Sequence, residues 1–192
     1  MQNQERILSI IDVRGRKFDI PVDRIIEANN AFLDKAMVVE EESTWHNPVC
    51  RPPDNPEGVE TMAHVLLNGT FDIPASIIAN GRQLEYLVHV AGVGDEYAVA
   101  SMAERAYYLF TQQLHLCTSS DHFIAAVRTI YTYPRSSIDG QDMISAMKRV
   151  VVYFLEARVD VTWIVYARAL LFTEVGGFEA DYRDARKNAA IA

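Results

Sequence analysis

Cysteine is scarce: two in 192 residues, Cys50 and Cys117, where a disulfide framework needs four or more in a shorter, secreted chain. Both read as reduced thiols. Long apolar runs are absent too. The longest candidate near the start, Ile7 to Ile11, is far shorter than a membrane span or signal core, and Met1 to Arg6 has no basic leader character. The expectation is a cytoplasmic or nuclear protein. Basic side chains are the minority, 18 against 26 acidic, for a formal charge of -8. That field repels phosphate backbones and anionic lipid, so nucleic acid and membrane surfaces are not expected as partners. With nine glycines, seven prolines and 49% hydrophobic residues, nothing in the composition argues for disorder, and a packed core follows.

What is present is a change of period along the chain. Ile7, Leu8, Ile10, Ile11 and Val13 precede Arg14-Gly15-Arg16, after which Phe18, Ile20 and Val22 recur at every second position. This pattern predicts a β-hairpin. From Asp23, a candidate N-cap, the spacing of Ile25, Ile26 and Ala28 turns helical, breaks at Asn29-Asn30, and resumes through Ala31, Phe32, Ala36 and Met37. A short strand is expected at Val49 and Cys50. Asn55-Pro56-Glu57 then opens a helix with Val59, Met62, Ala63, Leu66 and Leu67 on one face, stopped by Asn68-Gly69. Further helices are predicted over about 83–91, 99–114, 121–133, 141–158, 160–174 and 178–188. Gly92 to Tyr97 is read as the link between the first two, with Asp95 as the next N-cap; Ser120 and Asp121 are cap candidates for the third.

Few residues propose chemistry. His46 with Cys50, and His115 with Cys117 and His122, offer zinc-preferred donors, but each group falls short of four ligands at a spacing that closed sites use. Gly92-Val93-Gly94 lacks the third glycine, the preceding strand and the lysine of a phosphate-cradling loop, and is read as permitting close helix approach. No serine elbow and no histidine pair around a glutamate occurs. Asn68-Gly69-Thr70 matches a glycosylation acceptor and reads better as a turn. The expectation is no enzyme, no catalytic residue, no metal and no cofactor.

The order of these elements, with certain side chains in them, resembles the BTB/POZ family, closest to fungal members with a helical C-terminal continuation. Arg16 to Met37 (RKFDIPVDRIIEANNAFLDKAM) is similar to the family's second strand and helical hairpin, with Asn29 at its serine position and Phe32 following. Pro48 to Asp72 resembles the strand, turn and helix before the family's tyrosine-x-glycine, a place that Leu67-Asn68-Gly69 takes. Val90 to Ala106 (VAGVGDEYAVASMAERA) puts Asp95 and Tyr97 at the two diagnostic places. Asp121 to Pro134 and Gly176 to Tyr182 resemble the pattern that follows fungal BTB domains. Two features depart: Pro21-Val22 replaces the usual histidine-lysine, so the charged pocket of many BTB dimer interfaces is not carried over, and no helix is expected before the first strand, the element that many such dimers exchange.

The resemblance implies an α+β, BTB/POZ-like domain over 1–118 with a helical extension over 119–192, acting as a scaffold for protein partners. It implies self-association as a homodimer, or an adaptor role for a cullin-type ubiquitin ligase or a transcription regulator. Family members that recruit a cullin-type scaffold carry an apolar residue, any residue, then glutamate after the second helix; Val38 with Glu40, or Val39 with Glu41, supplies it. An apolar anchor beside a carboxylate would fill a groove and set orientation. A different reading of the later helices is a small sensor or ligand-binding domain around an apolar cavity. Their apolar residues Val150, Val151, Phe154, Leu155, Trp163, Ile164, Tyr166 and Leu170 either pack inward or leave a docking face.

Overall fold

A computed structural model of the chain describes residues 6–28, 49–50, 55–133, 142–159 and 161–189. In chain order the described elements are β1 (Ile7–Ile11), β2 (Lys17–Pro21), α1 (Val22–Ala28), β3 (Val49–Cys50), α2 (Pro56–Asn68) and α3 (Ala75–Ala79). There follow α4 (Gln83–Glu96), α5 (Ala100–Leu116), α6 (Ser120–Thr132), α7 (Met143–Glu156), α8 (Thr162–Glu174) and α9 (Phe178–Ala189). This is an α+β composition in which helix dominates. The chain gathers into two compact units, Met1–Asp72 with His89–Arg105, and Ile73–Val88 with Ala106–Ala192.

The first unit holds the sheet, in the order β2-β1-β3. β1 and β2 pair antiparallel with Leu8 opposite Ile20 and Ile10 opposite Phe18, and β3 runs parallel to β1 with Val49 beside Ser9. Alternation does the sorting: Leu8, Ile10 and Ile20 are fully buried, while Ser9 and Asp19 face outward and share a 2.7 Å hydrogen bond. The hairpin turn begins earlier than the arginines suggest. Asp12 O accepts from the Gly15 amide at 2.8 Å, and Gly15 sits at φ +79°, the left-handed position such a loop reserves for glycine.

Asp12 is the organiser of that turn. Its carboxylate accepts from the Arg14 and Arg16 amides and from Arg16 Nε, at 2.9, 2.9 and 2.8 Å. Arg16 also donates to Glu60 Oε2 at 2.8 Å, tying the hairpin to the first turns of α2. Burial alone would push the Asp12 carboxyl up, but the Arg16 amide, the guanidinium and the Arg14 amide outweigh it and hold the group below the ordinary aspartate range.

Helix ends follow the sequence signals in part. α1 starts at Val22, so Asp23 lies in the first turn and not at the cap; a carboxylate there still meets the positive end of the helix. For α2 the start signal holds as read. Asn55 Oδ1 accepts from the Glu57 and Gly58 amides, Pro56 takes the first position, and Gly69 at φ +78° closes the helix. Leu67 departs from its expected inward place and is 41% exposed, while Val65 is buried.

α4 does not stop at Ala91. It continues through Gly92-Val93-Gly94, so those residues are helix and Asp95 belongs to its last turn. A glycine inside a helix costs about 1 kcal/mol relative to alanine, and what compensates is proximity. A Cβ on Gly94 would stand 2.8 Å from the Ala103 amide nitrogen, and one on Gly58 would stand 2.8 Å from Val93 Cγ2 and 3.1 Å from His89 O. Those side chains are absent so that α2, α4 and α5 can touch nearly backbone to backbone. The helix then ends with the Val99 amide on Gly94 O at 2.8 Å and the Ala98 amide on Asp95 O at 3.2 Å, with Ala98 at φ +55°. That bond pair is a Schellman cap with alanine where glycine is usual.

The second unit is packed by rings. Phe123 lies 5.7 Å from Phe154 and 5.8 Å from Trp163 between centroids, and Phe172 lies 5.9 Å from Phe178 and 5.3 Å from Tyr182. Such tilted and edge-on pairs add to the area they bury. Ser119 caps α6 and Asp142 caps α7, accepting from Ser145 N at 2.6 Å, so the cap of α6 is one residue before those expected. Gly81, at φ +68°, gives way to the His122 ring, which would lie 2.0 Å from a Cβ there. α3 has no counterpart in the sequence pattern, because five residues are too short for a helical period to show.

Candidate interaction surfaces

A helix that meets water on one side ordinarily carries its charges there. α8 reverses this. Ile164, Ala167 and Leu171 are fully buried, and α8 packs by that side onto α6. Opposite them, Val161, Thr162, Val165, Tyr166, Ala169 and Thr173 are all exposed, and none is an Asp, Glu, Lys, Arg or His. Val165 is 43% and Tyr166 55% exposed. The helix's two charged residues are engaged at the flanks, Arg168 with the Tyr182 hydroxyl at 3.0 Å and Glu174 with Arg128. α9 shows the usual pattern: Arg183 pairs with Glu179 and Lys187 with Asp184 on an otherwise polar helix.

The acidic excess is distributed as unevenly as the apolar surface. The first unit contains eight basic and sixteen acidic residues, and the second ten of each. The entire formal charge of -8 therefore belongs to the first unit, and the unit bearing the α8 face is balanced. Balanced charge in the second unit leaves no net charge local to that face.

Three clefts were candidates for smaller ligands. One of about 280 Å³ runs between α7 and α9, with Lys148, Arg149 and Tyr153 on one side and Asp181 and Asp184 on the other. Its walls are already paired in part: the Tyr131 hydroxyl donates to Asp181 Oδ2 at 2.7 Å, and Lys148 Nζ sits 4.7 Å from the Tyr131 ring centroid. Burial and the adjacent Asp181 carboxylate hold the Tyr131 phenol well above its ordinary value, so it stays protonated. A second, of about 150 Å³, is lined by Gly81, Leu84, Cys117, Ser119 and His122. Burial pushes the Cys117 thiol up, its Sγ donates to Ser119 O at 3.4 Å, and a protonated thiol is a poor nucleophile. A third, of about 210 Å³ in the first unit, lies between the end of α2 and the start of α5, beside Ala98 and Val99. All three fall below the roughly 300–1,000 Å³ of small-molecule sites.

The residues singled out in the sequence fare differently. Val38, Val39, Glu40 and Glu41 lie outside the described residues, as does His46. Tyr97 is buried at the end of α4 and Asp95 is partly buried in its last turn, so both belong to the architecture of that corner and not to an exposed site. His115 stacks edge-on against Phe154 at 6.1 Å, and no group of three or more His, Cys, Asp or Glu side chains gathers as ligands among the described residues. Of the apolar residues in the later helices, Val151, Phe154, Leu155 and Ile164 are buried, Val150, Trp163 and Leu170 are partly so, and Tyr166 is exposed. Val161, Val165 and Ala169 were missed, although a signal existed: in TWIVYARALLFTE only Arg168 and Glu174 are charged.

None of the described helices is long and apolar enough to cross a membrane. No protein-family model, no curated protein and no solved structure matches this chain.

Proposed function

We propose that this chain is a protein-interaction module on a BTB/POZ-like core, binding other proteins and performing no chemistry of its own. The observation that carries the proposal is the uncharged outer face of α8, where a solvent-facing helix side presents valine, tyrosine and alanine in place of lysine and glutamate. Leaving such a surface in water is unfavourable by about 25 cal/mol per Å² of apolar area, and a partner recovers that cost. The BTB-like part of the reading is supported by a hairpin followed by a helix, a third strand parallel to the first, and the Asp95 to Tyr97 corner between two packed helices. The adaptor role, toward a cullin-type ligase or a transcription complex, is the use such a module has in the family it resembles. Protein partners are favoured over nucleic acid and membrane surfaces because the acidic unit repels both.

The test is affinity purification of the chain and of its Val165→Glu variant side by side from the same extract. Binding through α8 predicts that a defined set of proteins is retained by the parent and lost by the variant. Identical capture by both, or capture by neither, overturns the assignment of α8 as the binding face. The cullin-type contact is separable: purified scaffold should be retained by the parent and lost on Val39→Ala with Glu41→Ala.

A further inference from the structure

We infer that Asn80 is a site of spontaneous deamidation and isomerisation, while Asn68, in the same Asn-Gly dipeptide, is protected by the fold. The inference goes beyond the binding role of the chain and does not depend on it. The reaction needs no enzyme. The amide nitrogen of the following glycine, having lost its proton to hydroxide, attacks the asparagine Cγ; a Cγ–N bond forms, the Cγ–Nδ2 bond breaks, and ammonia leaves, taking up a proton from water. Water then opens the five-membered succinimide at either carbonyl, giving aspartate or an isoaspartyl link that runs through the side chain. Glycine is the most permissive neighbour because it has no Cβ to obstruct the attack.

Ring closure requires the backbone between the two residues to rotate and the glycine amide to be released, so the rate follows how often each turn opens. At Asn68 several bonds oppose opening. The Gly69 amide donates to Val65 O at 2.7 Å, and Asn68 Nδ2, the group that would leave, donates to His64 O at 3.0 Å and lies 3.2 Å from His64 Nδ1. Asn68 also ends a 13-residue helix in which nearby Val65 and Leu66 are buried. Asn80 differs at each point. It is exposed, and its carboxamide makes no hydrogen bond among the described residues. The Gly81 amide donates to Ile78 O at a longer 3.1 Å. The helix before it, α3, has five residues, of which Ile77 alone is buried. A helix that short gains little from cooperativity, and its end opens locally at small cost.

The product does not fit the turn as it stands. A Cβ on Gly81 would come within 2.0 Å of His122 Cε1, so the ring already fills the space beside that backbone. An isoaspartyl link adds a methylene to the main chain next to this contact, and a negative charge beside the cleft that Gly81 and His122 line with Cys117 and Ser119. His122 lies in the first turn of α6, where its amide meets the Ser119 cap. That turn should loosen as the ring is displaced.

The experiment ages the purified chain in mildly alkaline buffer at physiological temperature, alongside the same chain unfolded in urea and an Asn80→Gln variant. Peptide mass spectrometry follows the amide-to-acid mass gain at each site, and electron-transfer fragmentation separates isoaspartate from aspartate. In the folded chain Asn80 should convert faster than Asn68 by about tenfold or more, since each hydrogen bond that must first open lowers the reactive population severalfold. In urea the two rates should converge. Asn80→Gln should stop conversion at that position and leave Asn68 as in the parent. Hydrogen exchange should rise in the peptide from Ser119 to Ile124 only where Asn80 has converted. If the variant misfolds, the parent against its urea-unfolded form still carries the test.

Equal rates in the folded chain, or a faster one at Asn68, overturn the inference. So does a preference for Asn80 that persists unchanged in urea, which would place its origin in the flanking sequence and not in the fold. Equal protection of both sites relative to urea overturns it as well. Conversion of Asn80 with no change of exchange between Ser119 and Ile124 overturns the coupling to His122.

Discussion

The two units of this chain reach compactness by opposite means. In the first, a three-stranded sheet is joined to helices that touch nearly backbone to backbone, through Gly58 on α2, Gly94 on α4 and Ala103 on α5. In the second, aromatic rings pack against one another between helices: Phe123 against Phe154 and Trp163, and Phe172 against Phe178. The first unit is strongly acidic and the second balanced. Close approach of backbones leaves no slack for insertion, and the acidic charge repels anionic partners, so the helical part of the first unit is suited to be a fixed frame. Ring packing tolerates local loss at a higher cost per side chain, and a neutral surface with an uncharged helix face is suited to contact.

The largest effect is expected from removing a ring. Phe123 is fully buried against two other aromatic side chains, and Phe123→Ala should cost about 3–5 kcal/mol. Hydrogen exchange read by peptide should show the loss in α6 to α8. If exchange rose equally over the sheet, the contrast between the two packing modes would fail. Next comes the reverse operation, adding a methyl where none fits. Gly94→Ala places a carbon 2.8 Å from the Ala103 amide nitrogen, a backbone atom that cannot rotate away, so α4 and α5 must separate. A loss of about 1–3 kcal/mol is expected, although alanine is the better helix former by about 1 kcal/mol. A gain in melting temperature would show that the crossing has slack.

What the sequence revealed, and what it concealed, divides along the same physical lines. An apolar run before a turn placed β1, period-two alternation placed β2, and Asn55-Pro56 with Gly69 placed both ends of α2, because these signals act through neighbours in the chain. Gly94 permits the close helix approach read for it, but the helix end placed before Gly92 was wrong, for the complementary reason. The use of Gly94 depends on Ala103, which local propensity cannot see, and the helix runs on through it. Asp12 was invisible as an organiser, since an aspartate before a turn is common and its partners Arg14 and Arg16 were read only as turn residues. The α8 face was half legible. Tyr166 stood out, but which apolar side of an evenly apolar helix turns outward is decided by α6, and periodicity within α8 does not report it.

Asp12 supplies a smaller effect with a pH signature. Its folded pKa lies below the unfolded aspartate value, so its hydrogen bonds contribute full stability above that unfolded value, and the contribution is lost as pH falls through the folded one. Asp12→Asn keeps the size and one acceptor but loses the second acceptor and the charge that pairs with Arg16. The variant should melt several degrees below the parent at pH about 6, and the gap should narrow as pH drops below about 4. Denaturant midpoints measured across that range give the result. A gap independent of pH would mean that the turn is held by shape, with the carboxylate charge adding nothing.

The smallest effect has the opposite sign. Ala98 holds φ +55° at the position where a Schellman cap ordinarily uses glycine, and a Cβ in the left-handed region costs roughly 1–2 kcal/mol. Ala98→Gly removes that strain and gives back part of it through the greater freedom of glycine in the unfolded chain. The net expectation is a stabilisation of up to about 1 kcal/mol, seen as a small rise in melting temperature. Ala98 also lines the first unit's cleft beside Val65, Leu66 and Val99. If the variant proves no more stable than the parent, the methyl group repays its strain by packing there. The frame would then be sharper still than the contrast with the ring-packed unit requires, having no position in that corner where an atom can be removed at a profit to stability.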